Sequence, residues 1–126
     1  MSCPFCELKP EDTVLIDGDL CYFMDTADPV LVGSGMILPK PHRETVFDLT
    51  EAEWTESQSM LKQAKAMLDE KYHPDGYNVG WNVDPVGGQS IPHSHLHIIP
   101  RFDDEPLAGK GIRNHLKQPE NRRPGQ

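Results

Sequence analysis

Residues 92–100 read PHSHLHIIP, with histidines at 93, 95 and 97 set between two prolines. Side chains on an extended strand alternate with a period of two. His93, His95 and His97 therefore share one face, and Ser94, Leu96 and Ile98 take the other. At roughly 3.3–3.4 Å per residue, neighbouring imidazoles would stand about 7 Å apart. That spacing is too wide for ring-to-ring bonding and right for lining one pocket. Metal binding, phosphoryl chemistry and a hydrated strand face are all compatible with such a row.

Working outward from this strand, PVGGQS (85–90) turns the chain into it, and GYNVGWNVD (76–84) alternates as a second strand. Residues 51–72 predict one long helix. Thr50 can cap it, with Glu53 completing a capping box. Trp54, Leu61, Ala64, Leu68 and Tyr72 fall on one stripe, widened by Met60 and Met67. Pro74 and Gly76 end it. Upstream, GMILPK (35–40) is a short apolar strand and ADPVLVGSG (27–35) a loop. TVLIDGDLCYFMD (13–25) reads as a hairpin turning at Asp17-Gly18-Asp19. Strands flanking a single helix predict an α+β domain with a mainly antiparallel sheet.

A length of 126 residues fits a single domain. The net charge of −8 argues against general binding to nucleic acid or membranes, which favours a basic surface. Charge is uneven: residues 1–100 carry six Lys or Arg against sixteen Asp or Glu, whereas residues 101–126 carry six against four. A domain over 1–102 is expected, with 103–126 a basic, largely irregular tail belonging to it. No apolar run approaches the roughly 20 residues of a membrane span. The start of the chain lacks a signal-peptide pattern, and three cysteines fit poorly with a secreted disulfide framework, so a cytoplasmic protein is expected.

Two further motifs carry chemistry. In GGQS (87–90) the glycines let backbone N–H groups approach a ligand, and Gln89 and Ser90 supply polar groups for phosphate oxygens. CPFC (3–6) has the spacing of a zinc-binding cysteine pair, although a redox pair or a frayed terminus shares it. Alone, His42 reads as a surface or capping residue, and His73 and His115 as surface histidines.

Taken together, HSHLHII resembles the His-x-His-x-His-x-x signature of the histidine-triad (HIT) superfamily of nucleotide hydrolases and nucleotidyl transferases. The resemblance extends through NVDPVGGQSIPHSHLH, ILPKPH and the N-terminal hairpin, roughly residues 3–102. It implies a HIT-like α+β fold with a five-stranded sheet and one long helix, in which two subunits join their sheets as a homodimer. It implies that His95 attacks the α-phosphate of a purine nucleotide substrate, a dinucleoside polyphosphate or a nucleoside phosphoramidate, forming a covalent nucleotidyl-histidine that water then hydrolyses. His97 would hydrogen-bond the phosphate and assist the leaving group, Asn82, Gln89 and Ser90 would hold oxygens, and Asp25 would meet the ribose. In some branches an N-terminal cysteine pair binds structural zinc with two histidines, which matches Cys3, Cys6, His42 and His93, and leaves Cys21 as core. Ser34 stands where many relatives carry a fourth histidine. Arg101, Lys110, Arg113 and Lys117 are expected to bring positive charge to the polyphosphate. A transferase, a binding protein with weak or no turnover, and a metallohydrolase whose triad holds a catalytic metal are the alternative readings.

Overall fold

The computed structural model describes residues 3–125. Five strands form one antiparallel sheet: β1 (Val14–Asp17), β2 (Cys21–Asp25), β3 (Gly35–Pro39), β4 (Gly76–Trp81) and β5 (Leu96–Arg101), in the spatial order β1-β2-β3-β5-β4. The helix α1 (Glu51–Tyr72) connects β3 to the edge strand β4, and β5 returns between them. This is the expected α+β architecture.

Both ends of α1 obey local rules. The Thr50 hydroxyl accepts from the Glu53 N–H, and the Glu53 carboxylate accepts from the Thr50 N–H. His73 ends the helix in the left-handed region at φ 50°. The stripe that α1 buries is shifted from the expected one. Met60, Ala64 and Leu68 are buried as predicted, but Trp54 is 40% exposed, and Met67 is exposed too. Glu53 and Ser57 occupy the buried stripe instead. A hydrophobicity pattern cannot find such positions because they are held by polar partners. Arg43 donates twice to Glu53 at 2.9 Å, and Ser57 bonds the Glu53 carbonyl at 2.8 Å. Trp54 stacks on Trp81 at 5.5 Å.

The two faces of the sheet differ. Cys21, Phe23, Ile37, Leu96 and Ile98 pack under Met60, Ala64 and Leu68 of α1. Burying an aliphatic side chain of this kind contributes roughly 1.5–3 kcal/mol, so this layer dominates the core. Tyr22, Met24, Met36 and Leu38 form a second cluster, joined by Phe5. Gly35 lies between the two layers, where an added Cβ would meet the Phe23 ring and the Met24 carbonyl.

The histidine row is only partly strand. β5 begins at Leu96, where its partners Ile37 of β3 and Trp81 of β4 both end their pairing with it. Lacking a ladder on either side, residues 93–95 send their backbone bonds elsewhere: Ser94 N–H to the Arg43 carbonyl at 2.7 Å and His93 N–H to Ile91 at 2.8 Å. The segment after β5 is mostly without regular structure. It contains a one-turn helix, α2 (Ile112–Leu116), and a 3-10 turn at Pro119–Asn121. No helix among the described residues is long and apolar enough to cross a membrane.

Candidate active site and metal-ligand cluster

The three histidines do separate work. Fully buried His93 donates Nε2–H to the Pro39 carbonyl at 2.8 Å, which leaves the Nδ1 lone pair unprotonated. His95, 6% exposed, donates Nδ1–H to the His93 carbonyl at 2.8 Å, so its lone pair is on Nε2. His97 faces His95 edge-on with ring centroids 4.8 Å apart. The rings are thus closer than the 7 Å of a straight strand, because only His97 lies within β5 proper. Burial first, and then the electrostatic influence of the neighbouring His95, holds His97 below the usual imidazole range.

His97 lines a cleft of about 360 Å³. Its neighbour on β4 is Gly80, and the absent side chain there leaves room beside the imidazole. Asn82, Ser34, Thr26 and Asp28 add polar walls, while Leu31, Trp81, Ile99 and Ile112 add apolar ones. Ser34, at the fourth-histidine position, is buried and shares a 2.8 Å hydroxyl contact with Thr26.

The Gly-Gly turn is fastened to the protein by Gln89. Its Oε1 accepts from Asp84 N–H at 2.9 Å, and its Nε2 donates to Glu44 and Ile91 carbonyls at 2.6 and 3.0 Å. All three bonds are internal, so this side chain shapes the loop. Asp84, at φ 62°, and Gly88, at φ 98°, bend the backbone there, and a non-glycine residue held in such a region marks local strain. Ser90 is exposed beyond the turn, and the Asn82 amide reaches the Gly88 carbonyl at 3.5 Å. Asp25 is not on the cleft wall; its carboxylate accepts from Ala27 N–H at 2.8 Å. Asp28, which sequence reasoning passed over, does line the cleft and accepts from Val30 and Leu31 N–H groups at 2.8 Å. An Asp followed by Pro in a loop was its only signal.

Across the row, Cys3, Cys6, His42 and His93 converge, with one ligand atom from each lying within 4.8 Å of all the others. Cys3 and Cys6 Sγ lie 3.3 and 3.4 Å from His93 Nδ1, and Cys6 Sγ lies 3.3 Å from His42 Nδ1. A tetrahedral zinc with bonds of 2.0–2.3 Å asks for ligand atoms about 3.5 Å apart. The donor set fits a cation chemically as well. The His93 lone pair points at the thiols because its other nitrogen is protonated against Pro39, the arrangement that orients ligating histidines. Burial, followed by the neighbouring Cys3, pushes the Cys6 thiol up, a penalty that a bound cation removes. His95 and His97 lie outside this cluster, so among the described residues the triad does not gather on one metal.

Residues 7–104 match the HIT domain. The chain belongs to the HIT family. This HIT protein is 34% identical over 106 residues to the "Protein hit" of Bacillus subtilis, covering 80% of this chain and 72% of that one. It is 31% identical over 101 residues to a bis(5'-adenosyl)-triphosphatase of Saccharomyces cerevisiae, covering 78% of this chain and 48% of the yeast protein; it thus spans about half of that relative. A HIT family protein structure from Bacillus anthracis superposes with a TM-score of 0.77 at 23% identity, covering 95% of this chain and 89% of the other. A HIT family structure from B. subtilis gives 0.76 at 24%, covering 82% and 76%.

The matched domain stops at residue 104, yet the following segment returns to the HIT cleft. Arg101 holds it there, donating to Glu105 and to the Leu107 and Lys110 carbonyls at 2.8–2.9 Å, and also to Asn78. Its guanidinium is thereby engaged in the protein's own architecture. Lys110, Arg113 and Lys117 are exposed, and the tail residue that reaches the cleft wall is apolar Ile112.

Proposed function

We propose that this HIT protein is a nucleotide phosphohydrolase that cleaves at the α-phosphate of a dinucleoside polyphosphate or a nucleoside phosphoramidate. The observation that carries this reading is the 2.8 Å bond from His95 Nδ1–H to the His93 carbonyl. It selects the tautomer whose free lone pair is on Nε2, making a nucleophile beside the cleft-lining His97. Nε2 forms a bond to the α-phosphorus, and the bond to the leaving group breaks with its electron pair departing on that group. Water then attacks the phosphorus, the P–N bond breaks, and His95 is regenerated. His97, kept neutral near pH 7 by burial, has one N–H to offer a phosphoryl oxygen or the leaving group. Asn82 and Ser90 supply further polar contacts, and Gln89 holds the loop that presents them. Apolar walls at Leu31 and Ile112 suit a purine, and the cleft-lining Asp28, in place of Asp25, suits ribose hydroxyls. The named activity of the yeast relative supports this substrate class.

Incubation with diadenosine triphosphate and with adenosine 5'-phosphoramidate, followed by quenching and peptide mass analysis, tests the reading. The expected result is AMP release and an adenylylated peptide containing His95. Absence of both, or equal turnover by a His95→Gly variant, would refute it.

Cys3, Cys6, His42 and His93 would hold a structural zinc that fastens the N-terminus to the histidine row. About one zinc per chain should copurify, and unchanged melting of metal-free protein would refute the site. A homodimer is proposed through the outer edge of β4, which pairs only with β5 among the described residues. Sedimentation at the monomer mass would exclude it.

A further inference from the structure

Phe5 stands between the two cysteines and takes no part in the chemistry described so far. The turn that brings the thiols together is closed by the N–H groups of Cys6 and Glu7 on the Cys3 carbonyl, at 3.1 and 3.0 Å. It carries the Phe5 ring onto the histidine face of the sheet. There the ring meets two imidazoles edge-on: His93 at 5.9 Å and 87°, and His95 at 5.3 Å and 65°. The buried Tyr22 hydroxyl donates to the Phe5 carbonyl at 2.7 Å, tying the turn to β2.

Among the described residues, His95 makes one hydrogen bond, through Nδ1. One bond fixes a pivot and a tautomer, but it does not fix the tilt of the ring about that pivot. The reacting Nε2 lies on the far side of the imidazole, where a small tilt becomes a large displacement. Ring contacts with Phe5 and His97 supply what the single bond lacks. Edge-to-face geometry suits this task, because the ring quadrupole favours a particular mutual angle and not merely proximity.

We propose that Phe5 is a positioning residue for the nucleophile: its ring sets the tilt of the His95 imidazole, so that the Cys-x-x-Cys turn and the reacting nitrogen are aligned by one side chain. The proposal rests on His95 as the nucleophile.

The test uses the full chain, zinc-loaded, with diadenosine triphosphate as probe and 13C-labelled histidine for NMR. Phe5→Leu is expected to lower kcat by roughly tenfold to a hundredfold, the usual scale for a displaced reacting group, with KM little changed. It should also shift the His95 ring resonances while those of exposed His115 stay in place. Phe5→Tyr, which keeps the aromatic ring, should restore most of both. If Phe5→Leu does not fold, Phe5→Met carries the same two expectations.

Unshifted His95 resonances with wild-type kcat would overturn the proposal. So would a loss of kcat that excess zinc restores in full, since Phe5 would then act only through the stability of the cysteine turn. Turnover abolished in His95→Gly but untouched in Phe5→Leu would overturn this proposal alone. Turnover retained in His95→Gly would overturn the nucleophile assignment and this proposal together.

Discussion

Along β5 the two faces of the sheet are built on opposite rules. On the α1 side, Leu96 and Ile98 are locked among Phe23, Ile37, Met60 and Ala64. On the other side, His97 and Ile99 of the same strand open onto a cleft beside Gly80. Strand alternation divides stability from chemistry residue by residue along β5. The dry face supports precise placement of the wet one, since side chains on a packed strand hold position better than those on a loop.

The sharpest way to break this division is to remove one residue from each face. His95→Gly should lose at least about three orders of magnitude in turnover of diadenosine triphosphate while remaining folded and binding AMP. Circular dichroism and steady-state kinetics on one preparation check both halves. Its neighbour Leu96→Ala should do the reverse. It should cost about 2–5 kcal/mol in urea melts through the cavity it leaves, with far less change in kcat per folded molecule. A turnover loss equal to that of His95→Gly would show that the faces are not independent.

A smaller effect tests the polar part of the dry face. Glu53 is almost fully buried and is held below the ordinary carboxylate range, chiefly by Arg43. Its folded pKa is depressed, so its stabilisation is complete above the unfolded value and vanishes as pH falls through the folded one. Glu53→Gln should therefore cost about 1–3 kcal/mol near pH 7, and the gap from wild type should narrow progressively in melts below pH 4.5, the ordinary value for the group. A gap constant down to acid pH would mean that the carboxylate charge contributes nothing.

The smallest effect is expected at the cleft wall. Ile112 lies on the cleft but is largely exposed, so Ile112→Ala should raise KM for diadenosine triphosphate by only about threefold to tenfold, near 1 kcal/mol. Unchanged KM would remove the tail from the binding surface and leave the wet face to the domain alone.

Much of this division is already legible in the residues. The Thr50–Glu53 capping box, the Pro74 stop and the Asp17–Asp19 turn are local signals, and each states its own geometry. The alternation in HSHLHII separates Leu96 and Ile98 from the histidines without help from the rest of the chain. The charge imbalance of the tail was equally visible, but not its use. Arg101 spends its donors on Glu105 and three other oxygens, and Ile112 is the residue that reaches the cleft. The burial of Glu53 and Ser57 was hidden for a related reason. Buried polar side chains mostly depend on hydrogen-bond partners, and here Arg43 and Cys21, which meet Glu53 and Ser57, come from other parts of the chain.

By itself, then, the sequence determined the element types, their order and the alternating faces, because propensity, capping and periodicity act over a few neighbouring residues. Tertiary structure alone decided which nitrogen of His93 is free. His93 is set by the Pro39 carbonyl, 54 residues away, and by thiols 87 and 90 residues away. It also decided that His95 and His97 approach to 4.8 Å, since the pairing of β3 and β4 with β5 ends at Leu96 and frees the segment before it to bend. Such contacts depend on where the chain returns in space, and the spacing of letters along it carries no record of that distance.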